Sequence, residues 1–126
     1  SLWLKASKEP SPEGKIGIYD RILEIRPDDA EALAWKADAA LELGEQRWAL
    51  SLCNRVLEID SKDSHALYQR ACAEAALGDP EAALTDLEAA VAQADNIRDY
   101  ARVEPLFGSL QGMPRFQALL REESEE

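Results

Sequence analysis

His65, the only histidine, directly follows Asp63 and Ser64. Serine, histidine and aspartate are the residue types of a hydrolytic relay, in which the imidazole takes the hydroxyl proton and the carboxylate orients the ring. Here the three are consecutive at the start of a predicted helix, where neighbouring side chains project in different directions and cannot build that relay. No catalytic residue is expected. The two cysteines, Cys53 and Cys72, fall on different predicted helices and lack metal-ligand spacing, so they read as reduced thiols of a cytoplasmic protein. Cys53 occupies a packing position. Cys72 faces outward without a cationic neighbour to favour its thiolate, and reads as inert. Asp28 with Asp29, and the run Glu122-Glu123-Ser124-Glu125-Glu126, do not have the spacing of a calcium loop. Helix capping and solvation explain them, and neither a metal nor a cofactor is expected.

Charge narrows the partners. Acidic residues outnumber basic ones by 25 to 14, for a formal charge of −11. No dense Lys/Arg stripe offsets this, so phosphate backbones and anionic lipid surfaces are repelled, and nucleic acid is not an expected partner. Charges interrupt every long apolar stretch, and the amino end lacks a basic region followed by an apolar core. Neither a transmembrane span nor a signal peptide is read, so no direct membrane insertion is expected.

The elements that position these residues follow from composition and period. The 126 residues suffice for one domain that buries roughly two thirds of its unfolded surface. Alanine and leucine dominate, which favours helix and predicts no strands. Gly44 and Gly78 lie 34 residues apart, and the same offset pairs Leu33 with Leu67, Ala37 with Ala71, Ala39 with Ala73, Leu43 with Leu77 and Ala49 with Ala83. Such a period indicates stacked helical hairpins.

Ser11-Pro12-Glu13 opens a helix running to Arg26, with proline at its first position. Asp28 and Glu31 have the spacing of a capping box for the next helix, which runs to about Leu43. Gly44 ends that helix in the left-handed conformation. A third helix carries Ala49 to Ile59, a fourth spans about Asp63 to Leu77, and Asp79-Pro80-Glu81 opens a fifth. Residues 1–10 read as a truncated first helix or linker of a partial repeat. Residues 11–94 read as the array, with a partial repeat at 11–28 and repeats at 29–62 and 63–94. Residues 95–120 read as capping helices, because an open stack needs its terminal apolar face covered. Residues 121–126 read as an acidic, disordered tail.

These residues resemble the tetratricopeptide repeat, a 34-residue helical hairpin. Leu33, Ala37, Gly44, Ala49, Val56 and Leu57 occupy its signature positions in one unit; Leu67, Ala71, Gly78, Ala83, Ala90 and Val91 do so in the next. Pro27 matches the closing proline of the partial unit before them. The large aromatics usual in the first helix are replaced by Leu33 and Ala40, then by Leu67 and Glu74. Residues Ala101 to Leu120 look like an ending common after such arrays in bacterial proteins. The resemblance implies an all-α, right-handed superhelical stack with a C-terminal helical cap, acting in protein binding.

On a helical wheel, Leu33, Ala37 and Ala40 share one face, while Glu31, Asp38 and Glu42 lie opposite. In the fourth helix Leu67 and Ala71 point inward, and His65, Tyr68, Cys72 and Ala76 outward. In the family, outward positions of each first helix line a concave groove for a peptide or a partner's helix. Carried over by position, these are Glu31, Ala34, Asp38, Leu41 and Glu42, then His65, Tyr68, Cys72, Ala75 and Ala76. Three acids on one face also fit a plain solvated surface. As a groove, they suit a basic or amphipathic partner segment, with Tyr68 and Trp35 as apolar anchors. Trp35 reads equally as groove rim or as buried against a neighbouring repeat, whereas Trp48, on a flank with Leu52 and Ile59, is expected in the core. The lysines and asparagines of the family's carboxylate clamp are absent at Ala34, Asp38, Tyr68 and Cys72, which disfavours an anionic peptide end.

The expected function is a non-catalytic interaction scaffold or adaptor. One alternative is a regulatory or targeting segment of a larger enzyme, because the chain opens inside a repeat. Another is weak self-association through the amino-terminal face around Leu2, Trp3 and Leu4.

Overall fold

The computed structural model describes residues 1–121; of the predicted acidic tail at 121–126, Arg121 is instead the last residue of a helix and 122–126 lie outside the described residues. Among the described residues, eight α-helices follow in order: α1 (Leu2–Lys8), α2 (Pro12–Ile25), α3 (Ala30–Glu42), α4 (Gln46–Ile59), α5 (Ser64–Ala76), α6 (Pro80–Gln93), α7 (Ile97–Val103) and α8 (Pro114–Arg121). A 3₁₀ segment, Pro105–Leu110, separates α7 from α8. No strand occurs among the described residues.

Local chemistry sets the helix boundaries. The Ser11 hydroxyl accepts from the Gly14 N–H at 3.0 Å, ahead of Pro12 at the first turn of α2. Carboxylates of Asp29, Asp63 and Asp79 cap α3, α5 and α6 through the N–H groups of Ala32, Ala66 and Ala82. The expected capping box at Asp28 is therefore displaced by one residue: Asp29 is the cap and Asp28 is exposed. Asp29 takes that role because its extended backbone aims its carboxylate at the Ala32 N–H three residues on.

α3 and α5 end in the same way. Gly44 and Gly78 adopt φ of 76° and 90°. The Gly44 N–H donates to the Leu41 carbonyl and the Glu45 N–H to the Ala40 carbonyl; Gly78 and Asp79 repeat this toward Ala75 and Glu74. This double bond pattern satisfies carbonyls that the helix end would otherwise leave open.

Successive helices pack in order from α1 to α6, α3 also touches α5, and the 3₁₀ segment packs on α5 and α6. Small residues make close approach possible. Ala32, Ala37, Ala39, Ala66, Ala71 and Ala73, the pairs related by the sequence period, are all buried at these contacts. The core forms three connected zones. One holds Ala6, Ile18, Tyr19 and Ile22; one holds Leu33, Leu52, Cys53 and Val56; the last holds Leu84, Leu87, Phe107, Leu110 and Phe116. Leu2 to Lys8 is thus a helix whose Ala6 packs into the first zone, while Trp3 and Leu4 remain exposed.

Trp48 is not in the core. It is 38% exposed, with the Lys36 ammonium 5.1 Å from its ring centre and Lys36 in turn 2.6 Å from Asp20. The indole is held on the outer surface by this cation–π contact, and of its expected flank only Leu52 is buried. Ile59, at the last turn of α4, and Ile25, at the last turn of α2, are both exposed.

The left-handed turns predict a sign reversal among glycine substitutions. A Cβ at Gly44 or Gly78 meets open space, so Gly44→Ala and Gly78→Ala should each cost about 1–2 kcal/mol from backbone strain alone. Gly17 lies within α2 and is equally open, so Gly17→Ala should stabilise by about 0.5–1 kcal/mol. Urea unfolding of the three variants checks this; equal effects would refute it.

Candidate functional site

A network of side chains joins α3 and α5 beside residues of α2 and the 3₁₀ segment. Its floor is set by Gln69, a side chain only 1% exposed. The Gln69 amide donates to the Ala34 carbonyl at 2.7 Å and to Asp38 Oδ1 at 2.5 Å. Its oxygen faces Cys53 Sγ at 3.8 Å. Asp38 Oδ2 lies 3.1 Å from His65 Nε2. One carboxylate on α3 is thereby held by two residues of α5. The hydrogen bond to Asp38 is the main cause that raises the His65 pKa above 6.5; burial opposes it, and the charges of Asp38 and Asp63 add to it. Asp63 itself is occupied in capping the Ala66 N–H at 2.9 Å. The acid on His65 is therefore Asp38, from another helix.

A hollow of about 350 Å³ opens above this floor, lined by Lys15, Tyr19, Trp35, Asp38, Leu41, Glu42, Tyr68, Cys72, Glu104 and Leu106 among others. It adjoins a second hollow of about 440 Å³ that shares Trp35, Asp38 and Tyr68 and adds His65 and Tyr100. Three carboxylates, Asp38, Glu42 and Glu104, and one lysine, Lys15, line the first. Burial raises the Tyr19 hydroxyl pKa, with Asp38 and Glu42 adding to the effect. Burial likewise raises that of Tyr68, with Cys72 and Glu104 next in importance. Both phenols stay neutral, and the hollow combines aromatic walls with acidic charge.

The structure brings together Trp35, Asp38, Leu41, Glu42, His65, Tyr68 and Cys72 of the residues expected at a groove. Glu31, Ala34, Ala75 and Ala76 line neither hollow. Ala34, Cys72 and Ala75 are buried, not outward-facing. Ala75, expected from the family positions, is covered, and Cys72, placed outward by the wheel, lines the first hollow as a buried residue, because the 3₁₀ segment packs on α5 and joins both to the zone containing Phe107. Burial also raises the Cys72 thiol pKa and lifts that of Cys53 to about 12, so both stay protonated. Trp35, at 42% exposure, sits on the rim with its ring edge-on to His65 at 5.3 Å.

The sequence reading missed Gln69, Lys15, Tyr19, Tyr100, Glu104 and Leu106. Lys15 and Tyr19 belong to a second helix of a hairpin, and the last three to the region where the period lapses. It also missed a charged cluster behind the groove. Arg70 donates through Nε and Nη2 to both oxygens of Asp86, at 2.7 and 2.8 Å, and through Nη1 to Asn54 at 3.1 Å. Glu74 Oε2 lies 3.8 Å from Arg70 Nε, while its Oε1 is buried without a hydrogen-bond partner. A signal existed: the period pairs Asp86 with the buried Leu52, and Glu74 with the buried Ala40.

Among the described residues no group of His, Cys, Asp and Glu is placed to hold a metal ion, and no helix is long and apolar enough to cross a membrane. Neither a protein-family model nor a curated protein matches this chain.

The cluster behind the groove carries a pH signature. Burial, then the hydrogen bond and charge of Asp86, push Glu74 from 4.5 up to about 8, against the opposing effect of Arg70. The folded state thus holds a proton that the unfolded state releases. This contribution to stability is complete below about 4.5 and is lost as pH rises through about 8. His65 contributes with the same sign, so the readout is the difference between proteins. Stability measured by urea from pH 5 to 9 should fall more steeply for the natural chain than for Glu74→Gln, which keeps the neutral shape. Parallel curves would contradict the assignment.

Proposed function

We propose that this chain is a non-catalytic protein-interaction module, a right-handed stack of tetratricopeptide-type hairpins closed by α7, the 3₁₀ segment and α8. Its groove holds a basic, amphipathic peptide or helix of a partner. The stack reading is supported by α3 and α5, which start and end 34 residues apart, and by α4 and α6, which do the same. The two glycine turns repeat the same hydrogen bonds at that spacing.

The observation that carries the binding reading is the pair of adjoining hollows, with aromatic walls and an acidic floor, at the meeting of α3, α5 and the C-terminal segments. Their volumes fall within the range of ligand-sized clefts. The mechanism is display. Gln69 fixes Asp38 before any partner arrives, so little ordering is left to oppose binding. Asp38, Glu42 and Glu104 steer a basic segment, while Trp35, Tyr68 and Tyr100 offer apolar area.

Selection of a displayed random-peptide library on the intact chain should enrich peptides that carry two or more lysines or arginines beside apolar residues. Replacing Asp38→Asn and Glu42→Gln together should weaken those peptides roughly tenfold, about 1.4 kcal/mol, and flatten the salt dependence of binding. Enrichment of uncharged peptides, or undiminished affinity and salt dependence in the double variant, would overturn the proposal.

A further inference from the structure

The second hollow differs from the first in its aromatic content. Trp35 and His65 stand edge-to-face at 5.3 Å, and Tyr68 and Tyr100 lie 6.4 Å apart at 59°. All four line the same space of about 440 Å³, with Asp38 at its floor. Tyr68 is braced from below by Phe107, edge-to-face at 5.7 Å, and Phe107 is fully buried against Phe116. One wall is thus rigid. The two outer rings are open to solvent, Trp35 at 42% and Tyr100 at 58%, although burial would gain free energy for each. Aromatic rings that border one hollow with a carboxylate, and are left wet, have the chemistry to attract a cation.

We propose that this hollow receives the guanidinium of an arginine side chain of the partner, packed against Trp35, Tyr68 and Tyr100, with Asp38 as its counter-charge. This deepens the groove reading and rests on it. Two further observations favour a cation. No lysine or arginine is among the described residues that line the hollow. The one titratable base there, His65, has its pKa raised by the Asp38 hydrogen bond despite burial, so the spot stabilises positive charge on its own side chain. That imidazole is 41% exposed and can swing off Asp38 Oδ2 as the guest arrives. Arginine suits the site better than lysine. Its plane stacks on aromatic faces, its weak hydration is easily given up, and its forked donors match a carboxylate, whereas a lysine ammonium is a strongly hydrated point charge.

The test is an NMR titration of the isotope-labelled intact chain with Nα-acetyl-arginine amide, alongside its citrulline and lysine counterparts. Arginine should shift the Trp35 indole N–H and the Tyr68 and Tyr100 ring signals saturably. Its affinity should be roughly tenfold above that of citrulline, which is nearly isosteric but uncharged, and above that of lysine. Tyr100→Ala and Trp35→Ala should each abolish the preference, while Tyr100→Phe, which keeps the ring face, should retain it. Equal binding of arginine and citrulline, lysine at or above arginine, or a preference that survives Tyr100→Ala overturns the inference. If those probes show no arginine preference while library-selected peptides still bind, the groove stands without the cage. If neither probes nor library peptides bind, both readings fall.

Discussion

A single buried amide ties the candidate functional surface to the fold. Gln69 sits at the crossing of α3 and α5 and gives both its N–H donors to α3, one to the Ala34 backbone and one to the Asp38 carboxylate. A buried amide without partners costs free energy, while one with its partners in place specifies a unique arrangement. Any slide of α5 along α3 breaks both bonds together. Asp38 is consequently a fixed charge at the base of a groove, and His65, Tyr68 and Trp35 take their places around it. Without this tie, the same residues would be a mobile acidic face of the kind that most surface helices carry.

The rest of the architecture allows that crossing to be close. Alanines at 32, 37, 39, 66, 71 and 73 remove side-chain bulk where helices meet, and the two glycine turns reverse the chain tightly enough to bring the next helix back. These features were legible in the sequence because they are local or strictly periodic. An aspartate or serine two or three residues before an alanine-rich stretch, a proline at the first helical turn and a glycine at its end act on their own neighbours. Their effect does not wait for the tertiary fold. The one boundary misread, Asp28 for Asp29, turned on which of two adjacent carboxylates faces the helix, and that depends on backbone torsions.

Contacts made across the period were not legible in the same way. The wheel placed Asp38, Glu42, His65 and Tyr68 on an outward face, and all four line the hollows. It also placed Cys72 there, and the family positions added Ala75, because neither a wheel nor a repeat position knows what folds over the helix. The 3₁₀ segment that covers them lies beyond the repeated region, where no offset could predict its position. Gln69 was overlooked because the period aligns it with Trp35, an exposed residue, whereas in place it is buried. The Arg70–Asp86–Glu74 cluster could have been found, since carboxylates in the second unit replace Leu52 and Ala40 of the first. Two carboxylates that arrive together at packing positions, beside an arginine that the period aligns with Lys36, form a matched set.

The central claim is that Gln69 holds Asp38 in place, and the most direct measurement is the His65 pKa, because the imidazole reports the nearest carboxylate. An NMR titration of His65 in the natural chain should give a value above 6.5. In Gln69→Leu, with helix content checked by circular dichroism, Asp38 should leave its position and the His65 pKa should fall back toward the ordinary value. An unchanged His65 pKa in a folded Gln69→Leu protein would show that Asp38 needs no such anchor, and would contradict the account.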